Sequence, residues 1–113
     1  MVTCKASVRF KRFTPALMTI LNALYAADLR KLAGQPDDLV ITSVNDSTHG
    51  EHSKHYEDAA MDIRSKSFSP QTKELFRASV EAALGPKFRV LFEGRETANE
   101  HFHAQFRKGE TFP

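Results

Sequence analysis

Glu100-His101-Phe102-His103-Ala104-Gln105-Phe106 alternates without a break. His101, His103 and Gln105 share one parity, and Phe102, Ala104 and Phe106 share the other. Successive side chains of a strand point to opposite faces, so the stretch predicts a strand with one apolar face and one face carrying two imidazoles. Glu100 falls on the apolar parity. On an ideal strand it points away from His101 and His103, unless the chain bends or the strand ends there.

Working outward, residues 88–92 form a second strand candidate, separated from the first by a polar turn over 94–99. Ser69-Pro70 opens a helix with Leu75, Phe76, Ser79, Val80 and Ala83 on one face, and Leu84-Gly85-Pro86 closes it. Residues 59–63 read as a strand, and 45–58 as a polar loop holding three histidines. Leu39-Val40-Ile41, within 38–44, suits a buried strand. Thr14 is placed as an N-cap before Pro15 at the first helical position. Leu17, Ile20, Leu21, Leu24, Leu29 and Leu32 follow at helical spacing up to Gly34. Residues 5–13 alternate Ala6, Val8 and Phe10 with basic and hydroxyl side chains, which predicts a first strand. The order strand, helix, strand, loop, strand, helix, strand, strand lacks regular βαβ alternation. It favours an α+β domain with an antiparallel sheet flanked by helices.

The 113 residues suit one domain spanning 1–113. Hydrophobic residues at 41% and charged residues at 27% set the chain apart from disordered sequences. No apolar run approaches the roughly 18 residues of a membrane span, and no secretory signal is evident, so cytoplasmic synthesis is expected. Cys4 is the single cysteine, read as a small buried hydrophobe. It excludes an internal disulfide and a cysteine-based zinc site, so any metal must be held by nitrogen and oxygen. The net charge of +2 and the basic residues Lys5, Arg9, Lys11 and Arg12 near the N-terminus make a mild patch. That is too little for a nucleic-acid footprint, and no nucleic-acid partner is expected.

The five histidines form two groups: His49, His52 and His55 in the polar loop, and His101 and His103 on the last predicted strand. Zinc favours imidazole nitrogen with a carboxylate, and a catalytic zinc keeps three protein ligands and one open position. His55 and Asp62 converge on one ion if the chain turns between them, and His103 joins from a neighbouring strand. The competing reading of His55 with Asp62 is a surface hydrogen-bonded pair. His49 and His52 are read as loop residues or as donors behind the ligands.

Ser53-Lys54-His55-Tyr56-Glu57-Asp58-Ala59-Ala60-Met61-Asp62 resembles the Ser-x-His-x-x-Gly-x-Ala-x-Asp signature of the zinc D-alanyl-D-alanine carboxypeptidases and phage L-alanyl-D-glutamate endolysin peptidases. Glu100-His101-Phe102-His103 is similar to the family's second motif, an acid three residues before a histidine. The resemblance covers residues 40–107. It departs at Asp58, where the signature has glycine, and aspartate tolerates the left-handed region better than most residues.

The resemblance implies zinc held by His55, Asp62 and His103, with Glu100 as the general base. It implies the Hedgehog/DD-peptidase fold and a peptidoglycan stem peptide as substrate, hence a bacterial or phage protein acting on the cell wall. Ser53, Arg64 and His101 are the substrate-side candidates. The alternative is a catalytically inactive zinc-binding module of the same fold, to which the Asp58 departure gives weight.

Overall fold

The computed structural model describes residues 1–44 and 59–107, with five strands and two helices within them. They are β1 (Val2–Cys4), α1 (Pro15–Arg30), β2 (Leu39–Ser43), β3 (Ala60–Arg64), α2 (Pro70–Leu84), β4 (Phe88–Glu93) and β5 (His101–Phe106). Among the described residues no helix is long and apolar enough to cross a membrane.

Thr14 caps α1 as its sequence dictates: the backbone is extended, and the hydroxyl accepts the Leu17 N–H at 3.3 Å. Leu17, Ile20 and Leu24 are fully buried, whereas Leu29 is exposed. The helix stops at Arg30, ahead of Gly34, because Lys31 turns into the left-handed region with φ 35°. Gly34, at φ +88°, instead lets the chain pass beside the start of α2. There the Ser69 N–H donates to its carbonyl at 2.9 Å, and a Cβ would run into the Ser69 and Thr72 hydroxyls. In α2, Thr72, Phe76 and Val80 turn inward, and Leu75 stays exposed.

The sheet order is β1-β2-β3-β5-β4, so β5 lies between β3 and β4. The β2–β3, β3–β5 and β4–β5 pairings are antiparallel, but β1 runs parallel to β2. The expectation of an antiparallel sheet is corrected at that edge. The crossover between β1 and β2 contains α1 and returns the chain to its starting end, so the two strands run the same way. The architecture is a mixed five-stranded sheet with two helices.

The strand predicted over 5–13 is also corrected, since β1 occupies Val2–Cys4 and no strand follows before α1. The alternation is used by a compact turn. The Val8 N–H donates to the Lys5 carbonyl at 2.9 Å. Arg9 donates to the Ala6 carbonyl at 2.8 Å and to the Val8 carbonyl at 2.9 Å. Backbone groups satisfied locally in this way have no need of a sheet partner. Val8 still reaches the core, but Cys4 is exposed rather than buried.

Alternation along β5 separates the two faces of the sheet. Phe102 is fully buried, with ring centroids 5.2 Å from Phe68, 5.1 Å from Phe76 of α2 and 5.3 Å from Phe92. This aromatic cluster sits under the helices, with Ile63 and Ala104 on the same parity. The opposite face therefore receives Asp62 and Arg64 of β3, His101, His103 and Gln105 of β5, and Glu93 of β4.

Candidate metal centre on the sheet face away from the helices

Two cross-strand pairs build the site, both centred on β5. Asp62 of β3 lies directly opposite His103, and Glu93 of β4 lies directly opposite His101. Directly opposed residues have Cβ atoms about 4.5–5.5 Å apart, close enough for their polar ends to meet. His103 Nδ1 is 2.7 Å from Asp62 Oδ1, and His101 Nε2 is 3.1 Å from Glu93 Oε1. The pairs also approach each other: His101 Nε2 is 3.8 Å from Asp62 Oδ1, and His103 Nδ1 is 3.9 Å from Glu93 Oε1. Asp62, His101 and His103 each offer a ligand atom, and these atoms lie within 4.8 Å of one another. His103 is 8% exposed, so its own contact with Asp62 is largely kept from bulk water, while Glu93 stays open to it.

The hydrogen bonds decide which nitrogens are available. His101 Nδ1 is 2.5 Å from the Asn99 carbonyl oxygen. A carbonyl oxygen only accepts, so Nδ1 donates in that contact. Nε2 lies 3.1 Å from Glu93 Oε1 and 3.8 Å from Asp62 Oδ1, so the ring bridges the backbone and the two carboxylates. Two imidazoles and a carboxylate, one imidazole fixed by a backbone carbonyl, form a donor set that can hold a divalent cation. Burial works against the charged form of His103. The Asp62 hydrogen bond and charge, helped by Gln105 and Glu93, outweigh burial and raise its pKa above the usual imidazole value of 6.5.

The sequence-predicted residues divide as follows. Asp62 and His103 come together, and His101, placed on the substrate side by sequence, joins them with its Nε2. His55 and Ser53 lie outside the described residues. Arg64 lines a cleft of about 750 Å³ together with Asp62, His101, Glu100, Lys66 and Lys5, a position from which it can meet an anionic part of a ligand.

Glu100 precedes β5, and its carboxylate is bound by the residue after β3, by α2 and by the β4–β5 turn. Oε1 accepts from Lys73 Nζ at 2.5 Å and from the Ser65 hydroxyl at 2.8 Å, and Oε2 accepts the Glu96 N–H at 2.9 Å. The Lys73 hydrogen bond dominates. Burial opposes it, and the Glu96 and Ser65 bonds add to it, so the carboxyl is held down to about 2. Besides Asp62, the carboxylate of Glu93, 45% exposed at the end of β4, stands among the imidazoles. Sequence spacing missed it because it precedes His101 by eight residues and meets it only across the hairpin. A parity count from the end of the predicted β4 strand is the one signal that could have found it.

Comparison with protein-family models and with curated proteins gives no match for this chain.

Proposed function

We propose that this chain is a zinc-dependent peptidase of the Hedgehog/DD-peptidase type that hydrolyses peptide bonds in the stem peptides of bacterial peptidoglycan. The meeting of Asp62 with His103 at 2.7 Å across 41 residues of chain, with His101 Nε2 beside them, carries this assignment. The ordered motifs around His55, Asp62, Glu100 and His103 support it from the sequence side. Asp62 and His103 would hold the zinc, with a further nitrogen from His101 or, by the resemblance, from His55. When bound, zinc supplies Lewis acidity, which polarises a peptide carbonyl and makes water a stronger acid.

The chain's own groups do the proton work. A general base acts best when its pKa lies near the working pH and its oxygen faces the reacting atoms. Glu100 meets neither condition, being held near 2 by Lys73 with both oxygens engaged. Glu93 meets the geometric one, with Oε1 between the two imidazoles on the exposed side of the site. Glu93 therefore takes the role the motif assigned to Glu100: it accepts a proton from the attacking water and passes it to the leaving amine. Arg64 holds an anionic part of the peptide in the cleft.

Mass spectrometry of peptidoglycan incubated with the protein, with chelator and after zinc is restored, tests the whole assignment. New peptide termini that vanish with chelator and return with zinc are expected. Glu93→Gln should lower turnover by ~100-fold or more while zinc remains bound. An unchanged digest at saturating zinc would instead leave a zinc-binding module without hydrolytic activity.

A further inference from the structure

Helix α1 is apolar on two opposite sides. Ala16, Leu17, Ile20, Ala23, Leu24 and Ala27 turn into the core. Away from the core Met18, Tyr25 and Leu29 stand 46%, 50% and 87% exposed. With Asn22 they recur at intervals of four, three and four residues, which puts all four on one narrow stripe of the helix. Between Pro15 and Ala27 the helix carries no acid and no base, and its two charged residues, Asp28 and Arg30, lie near its end. A surface helix ordinarily turns a polar face to water, and one that is apolar all round is ordinarily covered all round.

The spacing of the stripe fits a second copy of itself. Intervals of four, three and four read the same in both directions. Two copies of α1 laid antiparallel about a two-fold axis therefore set Met18 of each against Leu29 of the other, and Asn22 of each against Tyr25 of the other. Each contact is made twice, as an isologous interface requires. The alternation of three and four is that of a coiled-coil seam, in which helices cross at about 20°. Apolar residues then bury one another at both ends of the stripe, while the Asn22 amide meets the Tyr25 hydroxyl near its centre. A lone amide in such a seam fixes the register.

Charge favours the same arrangement. The chain holds no acidic residue before Asp28, whereas Lys5, Arg9, Lys11 and Arg12 precede α1. At the other end of the helix Asp28, Asp37 and Asp38 stand beside Lys31 and the Met1 ammonium, and Asp37 and Asp38 are largely exposed. An antiparallel pair brings the basic end of each copy to the end of the other that holds the carboxylates, and it opposes the two helix dipoles. A parallel pair would set basic end against basic end. A strongly charged partner of another kind would find nothing to pair with along the stripe.

We infer that α1 is a self-association surface, through which two copies of this chain pair antiparallel by Met18, Asn22, Tyr25 and Leu29. A helix of 16 residues is about 24 Å long. One stripe of that length covers less than the roughly 800 Å² per partner of a standard interface, so the dimer is weak and depends on concentration. The metal centre lies on the sheet face away from the helices, and both copies keep it open. The pairing stands apart from the peptidase reading and is tested without it.

Sedimentation equilibrium of wild type, Leu29→Glu and Leu75→Glu gives the first test. Leu75 is 63% exposed on α2, outside the stripe, and serves as the control. Wild type and Leu75→Glu should show the same monomer–dimer equilibrium. Leu29→Glu should weaken it by ~10-fold or more, because the glutamate is buried without a partner. Circular dichroism should be unchanged in both variants, since each side chain points to water in the monomer. Disulfide trapping then tests the register in a Cys4→Ser background. Met18→Cys protein mixed with Leu29→Cys protein should cross-link on mild oxidation, whereas either alone should not. In the antiparallel pair two copies of residue 18 are offset by about 16 Å along the helices, beyond the reach of a disulfide.

A wild type that stays monomeric at every concentration would overturn the inference. So would a dimer that Leu29→Glu leaves intact, or Met18→Cys protein that cross-links to itself. Binding of the monomer to neutral lipid vesicles, lost in Leu29→Glu and with no dimer in solution, would overturn it too and assign the stripe to a lipid surface.

Discussion

At the scale of one residue, Glu100 is held by the Lys73 ammonium, the Ser65 hydroxyl and the Glu96 N–H. Its folded carboxyl is depressed to about 2 from an ordinary 4.5, with the Lys73 hydrogen bond the largest cause. A depressed carboxyl stabilises the fold fully above its unfolded value, and that stability is lost as pH falls through the folded one. The contribution of Glu100 is thus intact above about pH 4.5 and disappears on acidification toward 2. In Lys73→Met the main cause of the depression is gone, so the folded and unfolded values draw together. Urea denaturation at pH 6 and pH 3 should therefore show a smaller acid-induced loss of stability in Lys73→Met than in wild type. Equal losses in the two proteins would mean that the ion pair does not set this titration.

At the scale of the element, β5 is the organising strand. Its Phe102 face anchors the aromatic cluster beneath the helices, while its histidine face receives the acids of both neighbouring strands. Phe102→Ala would open a cavity among Phe68, Phe76 and Phe92 and should cost about 3–5 kcal/mol in denaturant unfolding. A cost under ~1 kcal/mol would show that the cluster repacks without it.

The outer strand β4 has a different task. A sheet edge presents unpaired backbone groups that invite association with other chains. Here Glu81 Oε2 accepts the Val90 N–H at 2.8 Å, and Arg77 donates to the Val90 carbonyl at 3.0 Å, so α2 side chains close the middle of the edge. Removing one such bond costs about 1 kcal/mol and exposes the donor to pairing. Glu81→Ala should therefore show concentration-dependent self-association by sedimentation velocity, beyond that of wild type. Identical sedimentation at every concentration would show that the edge is protected by other means.

For the whole molecule, the site exists only when the chain is folded. Asp62 and His103 are 41 residues apart in sequence and become neighbours through the β3–β5 pairing. A ligand that binds the folded state alone stabilises it by about 2.7 kcal/mol at a free concentration 100 times its dissociation constant. Zinc at that excess should raise the melting temperature in a calorimetric scan, and chelator should reverse the rise. His103→Ala should remove the shift while leaving the metal-free transition cooperative.

Local physics made much of this legible in the sequence. The Thr14-Pro15 start of α1, the Pro70 start and Gly85 end of α2, the β-branched run in β2 and the period-two pattern of β5 are short-range signals, and each element forms where they place it. Parity along β5 put His101 and His103 on one face, and the structure sets Asp62 opposite His103 and Glu93 opposite His101. Tertiary structure alone decided the direction of β1, the turn that replaced a strand over 5–13, the insertion of β5 between β3 and β4, and the choice of the acid that faces the imidazoles. The physical reason is range. Caps and alternation act over a few residues. A cross-strand neighbour such as Glu93, or an ion-pair partner such as Lys73, is set by how distant segments pack, which no local pattern encodes.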